Sequence, residues 1–165
     1  MKKLIIIIAL LVTSLGFGNN TLSVKQLRVL YIKAIENSNL ADELYDKLQY
    51  ENSNALIVGY KGAIEAIIAK HAWNPYNKIK YLNKSQVTLA KAIAAAPSDA
   101  ELRFLRYTIQ FYIPEYLGYS NDLDKDKKVI LKYASSAVKE VREVIVQFFT
   151  ENKLCTDKEL KVMKG

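Results

Sequence analysis

One cysteine, one histidine and three prolines are all this chain holds of those residues, and each scarcity closes off a chemistry. A lone Cys155 cannot form an intramolecular disulfide, so the fold must be held by its core. A lone His71 has no second His or Cys with which to share a transition metal, and no partner for a general-base dyad. Asn-Gly and Asp-Gly pairs are absent, and with them the strongest hairpin signal. No apolar run reaches the ~20 residues that a transmembrane helix needs. A glycine-rich phosphate loop, a G-x-S-x-G elbow, H-E-x-x-H and C-x-x-C are missing too, which removes the commonest catalytic signatures.

What is present begins at the N-terminus. Lys2 and Lys3 precede an unbroken apolar run from Leu4 to Val12, followed by Gly16-Phe17-Gly18. This order of charge, short apolar stretch and small residues is that of an export signal, with cleavage expected after Gly18 or Gly16. An uncleaved anchor is the alternative, but the run is short for a span. No Cys follows the run, so lipid attachment through an N-terminal cysteine is not expected. Residues 1–18 are therefore read as a signal peptide, and 19–165 as one domain destined for the periplasm or the exterior. Removing residues 1–18, and with them Lys2 and Lys3, leaves 147 residues with net charge +5, large enough to bury a core without staples. The densest basic stretch, Lys125 to Lys128, is interrupted by Asp126, which argues against a nucleic-acid footprint.

Periodicity near 3.6 runs almost throughout, so the fold class is all-α, built of stacked antiparallel helical hairpins. Six main helices are expected. The first spans about 24–36 behind a Ser23/Gln26 capping box, and the second about 40–51. The third spans about 55–72, with Gly59 and Gly62 marking a close helix approach. The fourth opens at Asn74-Pro75 and is stopped by Pro97. The fifth follows a Ser98/Glu101 capping box, ends at Pro114, and is apolar on nearly every side, so it should be central. A long sixth helix should run from about 122 to 150, with Ser135-Ser136 as a kink. A short last helix starts at Thr156, with Glu159 three residues on.

The join from Ala92 to Glu101, with Ala92 five residues before Pro97, resembles the boundary between two tetratricopeptide units. The helix-pair starts are unevenly spaced, unlike a strict 34-residue array. Tyr60-Lys61-Gly62-Ala63, Pro97 to Gln110, and Pro114 to Ser120 are together similar to a group of small exported bacterial proteins of uncharacterised function. That resemblance implies an all-helical, tetratricopeptide-like fold and export, and supplies no catalytic residues.

Among single residues, His71 is read as a helix-terminal cap beside Trp73. Asp122, Asp124 and Asp126 have the spacing of a calcium loop, but Lys127 and Tyr133 stand where its Gly and Glu belong. They read better as acids at a helix start. Arg103, Tyr107 and Gln110 share one side of the fifth helix and form a candidate polar floor for a carboxylate-bearing peptide end. The competing reading pairs Arg103 internally with Glu65, Asp99 or Glu115, and Glu65 or Glu115 is preferred. Tyr60, Tyr112 and Tyr116 are candidates for a groove lining, or for ordinary packing. The expected function is non-enzymatic interaction with a protein or peptide, through Tyr60, Arg103, Tyr107, Gln110 and Tyr116. The alternatives are a small envelope hydrolase using Glu65 and Glu101 around Arg103, and a purely structural envelope protein. No cofactor, catalytic residue or metal site is expected, nor any stable membrane insertion after signal cleavage.

Overall fold

The computed structural model describes residues 22–165. The expected export signal and cleavage site, residues 1–18, lie outside the described residues. These are all-helical: α1 Val24–Ala34, α2 Ser38–Leu48, α3 Ala55–His71, α4 Pro75–Ala95, α5 Ala100–Tyr112, α6 Leu123–Tyr133, α7 Lys139–Glu151 and α8 Asp157–Lys164. Single 3-10 turns lie at Glu115–Leu117 and Ala134–Ser136. Among the described residues, no helix is long and apolar enough to cross a membrane.

Local chemistry sets most of the helix starts. Ser23 and Gln26 form the expected capping box on α1, and Thr156 and Glu159 form another on α8. Asn37, Asn54 and Asn74 each cap a helix with the side-chain oxygen, so the Asn-rich breaks between helices are themselves the caps. Pro75 occupies the first turn of α4, where its missing N–H costs nothing.

Two expectations need correcting. The cap of α5 is Asp99, whose Oδ1 accepts from the Leu102 N–H at 3.0 Å. Ser98 stands one residue outside the helix, and Glu101 is drawn into a buried ion pair instead of reaching back to the cap. The long sixth helix is two helices. The chain leaves α6 through the 3-10 turn at Ala134–Ser136 and is extended at Ala137 and Val138 before α7 begins. The Ser135 carbonyl, left without a helical donor, accepts from Arg142 Nη1 at 2.9 Å. Periodicity missed the break because both halves turn their apolar stripes to the same core.

The hairpins pack around two main cores. The first joins α1, α2 and α3 with Leu89 of α4 and Leu105 of α5. The second joins α5, α6, α7 and α8 around Tyr107, Ile130, Ile145, Phe149 and Met163. A small cluster of Val58, Ala92, Ile93 and Leu102 links α3, α4 and α5. Helix α5 contributes to all three and is central, as its all-round apolar pattern requires. Its neighbour α3 is as deeply buried, because α2 and α4 cover it from either side. A Cβ on Gly62 would stand 3.1 Å from the Leu89 backbone nitrogen of α4, and one on Gly59 would collide with Cδ2 of Leu102. The two glycines are what let α4 and α5 approach α3 so closely.

Candidate functional site

The polar residues singled out on α5 lie inside the molecule. Arg103 and Arg106 converge on Asp126 of α6, which is 0% exposed. Arg103 Nη1 donates to Asp126 Oδ1 at 2.9 Å. Arg106 donates through Nε to Oδ2 and through Nη2 to Oδ1, both at 2.7 Å. The remaining donors are also used. Arg103 Nε and Nη2 donate to the Pro97 carbonyl, and Arg106 Nη1 pairs with Asp122 at 3.1 Å. Arg103 thus has an internal carboxylate partner, but it is Asp126 rather than Glu65, Asp99 or Glu115. The signal for it was present. Asp126, Ile130 and Ala134 follow one another at four-residue steps on the buried face of α6.

A second, partly buried pair ties α1 to the central helix α5. Glu101 accepts from Arg28 Nε and Nη2, both at 2.7 Å, and from the Tyr60 hydroxyl at 2.7 Å. This links α1, α3 and α5. The hydrogen bond from Arg28 to Glu101 holds the guanidinium more firmly protonated than usual. Burial, with the Glu101 charge beside it, raises the Tyr60 phenol well above the ordinary tyrosine range. Arg28 was not anticipated, although it shares the inward side of α1 with Leu27 and Tyr31.

Glu65 is held differently. It is 0% exposed between α3 and α4, and no hydrogen bond of good geometry reaches either oxygen. The nearest cation, Lys84 Nζ, is 3.6 Å from Oε1 and also meets the Tyr45 hydroxyl. Burial raises the Glu65 carboxyl above its ordinary value, with Thr88 and Lys84 offsetting part of the shift. Neither Glu65 nor Glu101 contacts Arg103 by a hydrogen bond or ion pair. His71 closes the C-terminal turn of α3, and its Nε2 lies 3.3 Å from the Ala34 carbonyl at the end of α1. Cys155 is half-buried against the second core.

The surface opens at the other end of α5. A cleft of about 580 Å³ lies between the end of α5, the turn after it and the start of α6. Its walls include Phe111, Tyr112 and Pro114, with Gln110, Glu115, Ser120, Asn121 and Asp124 as the polar groups. Two carboxylates and no basic residue line it, in a chain whose net charge is +7. Gln110 is 2% exposed; its Oε1 accepts from the Asp122 N–H at 3.1 Å, and its Nε2 donates to nothing among the described residues. Tyr116, 86% exposed, follows Glu115 in the 3-10 turn, and Gly118 ends that turn at φ 75. From Phe111 the contacts run on through Tyr107, Phe148 and Phe149 as an aromatic cluster, partly stacked and partly edge-to-face. Of the five residues expected to bind, Gln110 lines this cleft and Tyr116 stands beside it. Tyr60, Arg103 and Tyr107 are buried in the packing that supports α5.

Asp122, Asp124 and Asp126 all lie at the start of α6, and two of the three are engaged by Arg106. Among the described residues, no group of three or more His, Cys, Asp or Glu is arranged to hold a metal ion. Comparisons of this chain with protein-family models, with curated proteins and with solved structures give no match.

Proposed function

We propose that this chain is an exported, non-enzymatic interaction protein that binds a protein or peptide segment, and that it does so at the cleft between α5 and α6. The observation that carries the reading is Gln110. Its side chain is almost wholly buried at the wall of the cleft, and its amide Nε2 makes no hydrogen bond among the described residues. A peptide carbonyl would accept from it, a hydrogen bond worth about 0.5–1.5 kcal/mol net. Tyr112 supplies an exposed aromatic wall, and Glu115 and Asp124 favour a segment bearing Lys or Arg beside an apolar residue. The carboxylates named for a hydrolase, Glu65 and Glu101, lie away from this opening, whose lining includes neither. The side-by-side helical hairpins agree with a tetratricopeptide-like binding scaffold.

The test is selection of a random peptide library on the wild-type chain, counter-selected on Gln110→Leu and Tyr112→Ala variants. The reading expects enriched sequences with a basic residue, and loss of their binding in both variants. Enrichment that both variants retain, or no enrichment at all, overturns it.

A further inference from the structure

The turn between α3 and α4 carries an exposed surface that is both aromatic and basic. Trp73, the only tryptophan of the chain, is 97% exposed at its apex. Tyr76 is 74% exposed in the first turn of α4, and Ile79 is exposed one turn further. Among the described residues, no aromatic ring stacks on Trp73 and no cation sits over it. From Ala66 to Ser98 the chain has five lysines, Lys70, Lys78, Lys80, Lys84 and Lys91, and not one Asp or Glu. The neighbouring end of α1 adds Lys33 and the exposed Ile32. Glu36, at the end of α1, pairs with Lys70 at 2.6 Å. Lys78, whose Nζ donates to the Lys70 carbonyl at 3.2 Å, and Lys80 are exposed, within about 8 Å of the start of α4, or one Debye length at physiological salt.

From this we propose that the α3–α4 tip docks on an anionic lipid bilayer, with Trp73 and Tyr76 entering the headgroup region and the lysines facing the charged surface. The chemistry fits at three points. Tryptophan and tyrosine prefer the membrane interface, where the ring is apolar and the polar edge stays wet. Lysine stems lie along apolar surface while their ammonium groups reach the headgroups. The start of α4 is also fixed locally, by the Asn74 cap and by Pro75 in the first turn. Little conformational freedom is lost on docking. Contact of this kind is peripheral and asks for no membrane-spanning helix.

Trp73 is its own reporter. The experiment mixes the full chain with vesicles of phosphatidylcholine alone, or with a third phosphatidylglycerol, and reads tryptophan emission together with co-sedimentation. The expected result is a blue shift of Trp73 with the anionic vesicles only, reversed by high salt. Lys78→Gln with Lys80→Gln should weaken co-sedimentation by about fivefold per lysine, and Trp73→Ala by about tenfold. Lys158→Gln with Lys161→Gln, on α8, should leave it unchanged. Trp73 is the only tryptophan, so its emission reports the tip alone, whatever lipid contact another part of the chain makes. An unshifted emission overturns the proposal, as does equal co-sedimentation of all variants. Binding of a soluble polyanion such as polyphosphate as tightly as the vesicles, with no blue shift, would assign the lysines to a polymer and likewise overturn it.

Discussion

Asp126→Asn isolates charge from shape at the most buried ionic contact of the fold. The asparagine fills the same volume but keeps only one acceptor oxygen. If that oxygen takes the Oδ1 position, it retains Arg103 Nη1 and Arg106 Nη2, and its amide nitrogen then confronts Arg106 Nε, which was 2.7 Å from Oδ2. Two guanidiniums, both nearly buried, lose the carboxylate between them. Breaking a buried pair from one side costs about 3–5 kcal/mol. Arg103 keeps the Pro97 carbonyl and Arg106 keeps Asp122, so the lower end of that range is expected here. With a urea dependence of about 1–3 kcal/mol per molar, the unfolding midpoint should fall by about 1–3 M. That is a large share of the roughly 5–15 kcal/mol of a typical domain. Asp124→Asn is the control, since it lies in the same turn, is exposed and makes no ion pair, and it should shift stability by less than about 0.5 kcal/mol. Equal midpoints for Asp126→Asn and Asp124→Asn would refute the argument that α5 and α6 are joined through this carboxylate.

Other outcomes follow from the same geometry. Asp99→Ala should destabilise by about 0.5–2 kcal/mol because it uncaps α5, whereas Ser98→Ala should leave the urea midpoint in place; the reverse order would restore Ser98 as the cap. Glu65 is raised by burial, so the native state prefers it protonated, and the stability this contributes is present at low pH and lost as pH rises through the raised value. Glu65→Gln should therefore raise the midpoint at pH 7, with the gain over wild type shrinking toward about pH 4; a gain independent of pH would sink that account. Mass spectrometry of the exported chain should find its N-terminus at or near Asn19, and an intact Met1 on membrane-bound protein would contradict the export reading.

Helix identity, helix order and most helix starts were legible in the residues themselves, because they depend on interactions within one turn. A side-chain oxygen at Ser23, Asn74 or Thr156 reaches a backbone N–H two or three residues on, and no distant part of the chain needs to be known. The small residues at Gly59 and Gly62 announced a close approach, and only the fold showed that Leu102 and Leu89 make it. Where two local solutions competed, tertiary structure chose. Glu101 had the spacing for a cap, but Arg28 and Tyr60, brought to it from α1 and α3, offer a charged partner and a hydroxyl in a dry interior. A buried carboxylate is stabilised far more by them than by one exposed N–H. Likewise Arg103 on an apolar helix had to find a carboxylate, which its sequence neighbourhood dictated. That the carboxylate is Asp126 depended on α6 folding back along α5, which no local pattern encodes. The cleft beside Gln110 arises the same way, from the placement of the end of α5, the turn after it and the start of α6 around that side chain.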